Sequence, residues 1–178
     1  MQFPFHKYGL TFRLVEESDA QFILSLRTNK ERARYLSATD DDLQKQTEWI
    51  KAYKQRENER KEYYVLFEDD NQQPLGVFRL YDITAESFTS GSWLIKPGCD
   101  EFVGLKSDLF VGFLAKEVLK LGDWFFDVRK NNKKVLRYHK MFAKVINEDE
   151  LNVYFAMDRA AYEKKSSFLT SIIQPDIY

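Results

Sequence analysis

Between Tyr63 and Lys96 three strand-like runs follow one another with no helical run between them, and this order constrains the fold more than any other feature of the chain. Tyr63–Phe67 is aromatic and β-branched, the polar stretch EDDNQQP turns the chain, and Leu75–Tyr81 resumes strand character, so the two read as a hairpin. Ser92–Lys96 makes a third strand, stopped by Pro97-Gly98. Strands joined directly by turns pair antiparallel, which excludes an all-parallel doubly wound sheet.

Helical patterns flank this block. Leu10–Val15 reads as a strand, and Ser18 with Gln21 three residues later forms a capping-box pattern ahead of Phe22, Ile23 and Leu26, a helix ending near Asn29. From Asp40 the run DDDLQKQTEWIKAYKQRENERKE carries Leu43, Trp49, Ile50 and Tyr53 as a thin apolar stripe, with acids first and bases later to suit the helix dipole. Leu105, Leu109, Phe110, Phe113, Leu114 and Val118 mark a strongly apolar central helix, expected to end at a Gly122 C-cap. Trp124–Val128 reads as a strand, Asn132–Phe142 as a helix, Leu151–Met157 as a closing strand and Asp158–Phe168 as a short terminal helix. The expected fold is therefore α/β, in the α+β sense: one mixed, mostly antiparallel sheet with helices on both faces.

At 178 residues with 44% hydrophobic content, the chain can bury one sizeable core, so 1–178 is expected to be one domain. The 27 basic and 28 acidic residues nearly cancel, which gives no net field to favour nucleic acid, an anionic membrane or an acidic macromolecule. No signal-like segment and no run near the ~20 apolar residues of a membrane span is present. The single cysteine, Cys99, suits a reducing compartment, so a cytoplasmic protein is expected. No metal-site spacing occurs, since His6 and His139 are isolated.

The segment GSWLIKPGCDEFVGLKSDLFVGFLAKEVLKLGDWFFDVRKNNKKVLRYHKMFA, Gly91 to Ala143, resembles the Gcn5-related N-acetyltransferases, in the branch of ribosomal-protein and amino-sugar acetyltransferases. The element order resembles that family from about residue 10 to 168. The resemblance implies the acyl-CoA N-acyltransferase fold and transfer of an acetyl group from acetyl-CoA to a primary amine of a small molecule or protein. In the family the strand matching Ser92–Lys96 binds the pantetheine arm through its backbone, which implicates Trp93, Leu94 and Ile95. The following loop and helix N-terminus suit a pyrophosphate, with Gly98, Gly104, Leu105, Lys106 and Ser107 as the lining. This loop reads PGCDEFVG, without the family's usual glycine spacing, and Asp100 and Glu101 bring negative charge to it.

The second stretch, DVRKNNKKVLRYHKMF, resembles the family's strand, asparagine and helix bearing a tyrosine seven residues after that asparagine. Counted from Asn132 this position is His139, which by resemblance is the general acid toward the CoA thiolate; a histidine suits the task with its ordinary pKa of ~6.5. Asn132 would hydrogen-bond the cofactor arm and Val135 would pack beside it. Arg79 and Tyr81 share a strand face and are candidates for an acceptor cleft, as are the loops Arg34–Thr39 and Ile83–Ser90. No general base is evident, since Ser90 holds the matching position.

Other readings stand beside these. His139 also has the spacing of a buried structural histidine, Gly98 and Gly104 that of a turn and a cap, and Arg129, Lys130, Lys133 and Lys134 that of a solvated face. The rivals to a transferase are a Gcn5-like binding module without CoA affinity and an RNA-associated protein using the Arg129–Lys134 stretch. The aromatics of Tyr154–Phe168 offer a surface for a homodimer.

Overall fold

The structure is a computed structural model and describes residues 2–30 and 40–173. Its strands are β1 (Phe5–Lys7), β2 (Leu10–Leu14), β3 (Tyr63–Glu68), β4 (Pro74–Tyr81), β5 (Ser87–Ile95), β6 (Asp123–Arg129), β7 (Lys144–Glu148) and β8 (Asn152–Met157). Its helices are α1 (Ala20–Thr28), α2 (Leu43–Asn58), α3 (Glu101–Gly112), α4 (Lys133–His139) and α5 (Arg159–Ile173). The strands form one sheet in the order β1-β2-β3-β4-β5-β6-β8-β7. Every neighbouring pair is antiparallel except β5 and β6.

The sheet divides its apolar side chains by strand alternation. Phe12, Val65, Phe67, Phe78, Phe88, Trp124, Phe126 and Phe155 form the larger core with Phe110 and Leu114 of the α3 segment. Phe110 stacks on Phe12 at 3.7 Å between ring centroids. On the other face Tyr64, Leu66, Val77 and Leu94 pack under Ile23 and Leu26 of α1 and Ile50 and Tyr53 of α2. Asp42 caps α2 by accepting from the Lys45 N–H at 3.0 Å.

The ends of the first and the central helix differ from the sequence reading. Ahead of α1 the cap is built two residues earlier than Ser18, at Glu16: the Asp19 carboxylate accepts from the Glu16 N–H at 2.8 Å, and Glu17–Asp19 form a 3₁₀ turn. The central helix begins at Glu101, four residues before Leu105, because Asp100 caps it by accepting from the Phe102 N–H at 2.7 Å. Its last turn, Phe113–Val118, is π-helical, and the left-handed residue after it is Lys120, with φ +57°. Gly122 is therefore not the C-cap. A Cβ there would stand 1.7 Å from the Glu86 carbonyl oxygen, so glycine permits the two backbones to cross.

Two strands went unread, β1 and β7. The first has three residues and the second is exposed throughout, so neither offers an apolar alternation. Met141, Val145, Ile146, Leu151 and Phe168 are the large apolar side chains left open at this end of the chain. No helix among the described residues is long and apolar enough to cross a membrane.

Candidate active site

A parting of strands organises the site. β5 and β6 pair over only three positions, Ser87 with Asp123, Phe88 with Trp124 and Thr89 with Phe125. β5 then continues to Ile95 along β4, while β6 continues to Arg129 along β8. The β5 backbone from Ser90 to Ile95 thus has no sheet partner on its β6 side, and a gap opens between the strands. At the top of this gap β5 carries an extra residue relative to β4: Val77 faces Leu94, but Arg79 faces Gly91. Ser92, at φ +50°, absorbs the bulge. Such a bulge turns backbone groups out of the ladder and re-aims side chains beside a site.

The side chains of β5 sort on either side of the gap. Trp93 is half-buried toward α3, and its indole N–H donates to the Ser107 hydroxyl at 3.1 Å; the Ser107 hydroxyl itself donates to the Gly104 carbonyl at 2.9 Å. Ile95 meets Gly104 so closely that a Cβ on that glycine would lie 3.3 Å from the Ile95 methyl. Leu94 is buried on the opposite face, under α1 and α2. Trp93, Ile95, Gly104 and Ser107 are therefore brought together at one wall of the gap.

Leu105 and Lys106 are not part of that wall. Leu105 packs into the cluster of Leu109, Leu169 and Ile173 beneath α5, and the Lys106 ammonium lies by the β1–β2 turn near Gly9. Because α3 begins at Glu101, the N–H groups of residues 104–107 lie inside the helix. The expectation of free donors at 104–107 is corrected accordingly: the open end of the helix is at Glu101–Val103, where Asp100 already satisfies Phe102 and Val103. Gly98, at φ +82° in open space, makes the turn that leads into this end.

On the α1–α2 face of the sheet, Arg79 donates to Glu62 at 2.7 Å and lies over the rings of Trp49 and Tyr81. Tyr81 lays its hydroxyl against Gly91; a Cβ on that glycine would come within 2.8 Å of it. Arg79 also lines a cavity of about 240 Å³ with Arg27, Asp40, Asp42, Lys45, Gln46, Trp49 and Tyr64. The Arg34–Thr39 loop expected to shape this region lies outside the described residues. Glu62 and Trp49, which hold the Arg79 guanidinium, were missed in the sequence because they sit on separate elements with no shared spacing.

α4 places its residues differently from one another. Asn132 is its N-cap and Val135 is half-buried against the core. His139 is buried, with its ring 4.5 Å from that of Phe126 and 6.1 Å from that of Phe155. Its Nδ1 has no hydrogen-bond partner. Burial, helped by the Lys165 ammonium, pushes its pKa down to about 3, so the ring is neutral. The neighbouring Tyr138 remains half-exposed and donates its hydroxyl to Asp108 of α3. Asp108 in turn accepts from Lys165 of α5 at 2.7 Å, and both members of this pair are buried. Burial and the Asp108 charge raise the Tyr138 pKa. Tyr138 stands seven residues after Asn131, the spacing that the sequence reading counted from Asn132.

Cys99 is half-buried at the gap's outer end. Among the described residues no group of three or more His, Cys, Asp or Glu is arranged to hold a metal ion.

The family model of the acetyltransferase (GNAT) domain matches residues 9–140. Among solved structures, apo FdhC, described as a nucleotide-linked sugar GNAT, is 33% identical, with 97% of this chain and 99% of that one covered at a TM-score of 0.86. The spermidine N-acetyltransferase of Vibrio cholerae in complex with CoA and spermine is 19% identical, with 87% and 98% covered at 0.72. The dodecameric form of the Vibrio cholerae enzyme in an intermediate state is 18% identical, with 89% and 98% covered at 0.69. No curated protein matches the chain.

Proposed function

This chain belongs to the GNAT acetyltransferase family, and from that premise we propose that it transfers acetyl from acetyl-CoA to the amine of a nucleotide-linked amino sugar. That it is an acetyltransferase follows from the family; the donor, the acceptor and the residue roles are our reading. The observation that carries the reading is the gap between β5 and β6, where six residues of β5 backbone stand without a strand partner on the β6 side. Amides of an extended pantetheine can pair with such an edge as an added strand would.

Acetyl-CoA supplies the activated thioester, and the protein's own groups do the rest. Trp93 and Ile95 wall the gap on the α3 side, with Ser107 fixing the indole. Gly98 leaves room for the backbone approach that a diphosphate requires. Asn132 and Val135 face the donor from α4. Backbone N–H groups on the β6 side of β5, beside the bulge at Ser92, polarise the thioester carbonyl.

For the proton returned to the departing thiolate we assign Tyr138 in place of His139. Tyr138 is half-exposed at the α3–α4 junction, with its hydroxyl held by Asp108, whereas the His139 ring is neutral and enclosed by Phe126 and Phe155. Arg79 and Tyr81 bind the acceptor, with the Trp49 face and the cations Arg27 and Lys45 supplying contacts suited to a sugar ring and its phosphates. The similarity to FdhC across 97% of the chain supports this acceptor class.

Thermal unfolding with acetyl-CoA tests the donor assignment. At about 100 times the dissociation constant the ligand adds about 2.7 kcal/mol of stability. No shift at millimolar acetyl-CoA would sink the donor assignment and favour a binding module.

A further inference from the structure

We propose that Asp127 is the catalytic base that takes the proton from the acceptor amine; the assignment rests on the transferase reading above. β5 and β6 are parallel and in step over Ser87–Asp123, Phe88–Trp124 and Thr89–Phe125. Two residues further along, the same step would set Gly91 opposite Asp127, but there the strands have parted. Asp127 therefore stands at the first widened step on the Arg79–Tyr81 face of the gap, across from the bulge at Ser92.

Strand alternation then fixes its face. Trp124, Phe126 and Val128 are buried in the core on the α3–α5 side, so Asp127 projects to the opposite face, where Arg79 and Tyr81 lie. Its charge acts on the Tyr81 phenol, whose hydroxyl covers Gly91. Asp127 is solvent-accessible, and no hydrogen bond or ion pair among the described residues ties its carboxylate to another side chain. Every other carboxylate of the acceptor face named so far is engaged: Glu62 with Arg56 and Arg79, Asp40 with Lys45, and Asp42 with the α2 N-terminus.

The groups that face Asp127 are Tyr81 of β4, Arg129 of its own strand, Asp149 of the β7–β8 turn and Tyr154 opposite it on β8. Tyr154 spends its hydroxyl on Asp149. Partial desolvation raises the Asp127 pKa, Asp149 adds to this and Arg129 opposes it. A raised carboxylate is a stronger base and accepts a proton from an ammonium more readily.

The step balances without a further reagent. Asp127 takes one proton from the acceptor ammonium. The freed nitrogen lone pair forms a C–N bond to the thioester carbonyl carbon, and the C–S bond breaks as the tetrahedral adduct collapses. The nitrogen's second proton leaves to solvent, the departing thiolate is protonated from α4, and the products are an amide and a thiol.

The test is the pH profile of kcat/KM for thiol release from acetyl-CoA, with nucleotide-linked amino sugars and spermidine as probe amines. Asp127→Asn should lower kcat/KM by about 10²-fold near pH 7, the scale of general-base catalysis. The deficit should shrink as pH passes the amine's own pKa, where no base is needed, while the shift in melting temperature with acetyl-CoA stays that of the wild type. Asp127→Glu should recover part of the rate and does not depend on Asp127→Asn folding. An Asp127→Asn rate equal to wild type, a deficit constant across pH, or a Glu variant no better than Asn would overturn the assignment of Asp127 alone. Wild-type protein that releases no thiol with any probe amine would overturn the transferase reading and this assignment with it.

Discussion

The hydroxyl of Tyr138 on α4 donates to the buried carboxylate of Asp108 on α3, and so bridges the two helices that flank the gap between β5 and β6. Asp108 is held from behind by Lys165 of α5 at 2.7 Å. The phenol is thereby oriented by a carboxylate with an ammonium at its back, while His139 next to it turns into the core.

This arrangement separates two neighbours that the sequence could not tell apart. Tyr138→Phe should lower kcat by about 10²-fold with little change in the KM for acetyl-CoA, because only the transition state uses the proton. His139→Leu, which keeps the volume and apolar contacts, should leave kcat within a few-fold. Steady-state kinetics of both variants decide between them, and the opposite ranking would return the acid role to His139.

Acid stability gives a second test of His139. Its pKa is about 3 in the fold, below the ordinary 6.5 of an unfolded chain. The unfolded state therefore binds the proton first as pH falls, and the fold loses stability from about pH 6.5 down toward 3, roughly 2 kcal/mol of it by pH 5. Above pH 6.5 neither state carries the proton and the contribution is flat. Denaturant unfolding at pH 7.5 and 5 should show the loss in wild-type protein and a smaller one in His139→Leu.

The Asp108–Lys165 pair predicts an asymmetry between breaking and replacing. Burial lowers the Lys165 pKa, and the Asp108 charge works against that fall. Lys165→Met leaves Asp108 buried with only the Tyr138 hydroxyl, and should cost about 3–5 kcal/mol. The double variant Asp108→Leu with Lys165→Met should recover much of this, since it removes both charges from the interior. Urea unfolding of the three proteins measures the coupling.

The order of elements was legible because each carries its own period. The Tyr63–Lys96 strands and the apolar stripes of α1, α2 and α3 announce themselves through residues that end up in the two cores. β1 and β7 lacked such a signal, and the start of α3 was hidden because Asp100 reads as an unwanted charge near a phosphate loop before it reads as a cap. In the site, the β5 segment was found through its resemblance, while Asp127 and Tyr138 were not. Asp127 looks like any polar residue alternating along a strand, and Tyr138 differs from His139 by one step of 100° around a helix.

The amino-acid sequence by itself determined the sheet-building runs, the helix faces and the family, because these depend on local period and on residues close together in the chain. The tertiary structure alone decided where β5 and β6 part, which of two adjacent α4 side chains stays accessible, and which face of the sheet Asp127 shares with Arg79 and Tyr81. Those properties depend on contacts between segments such as Asp108 and Lys165, 57 residues apart, whose pairing leaves no periodic trace in the chain.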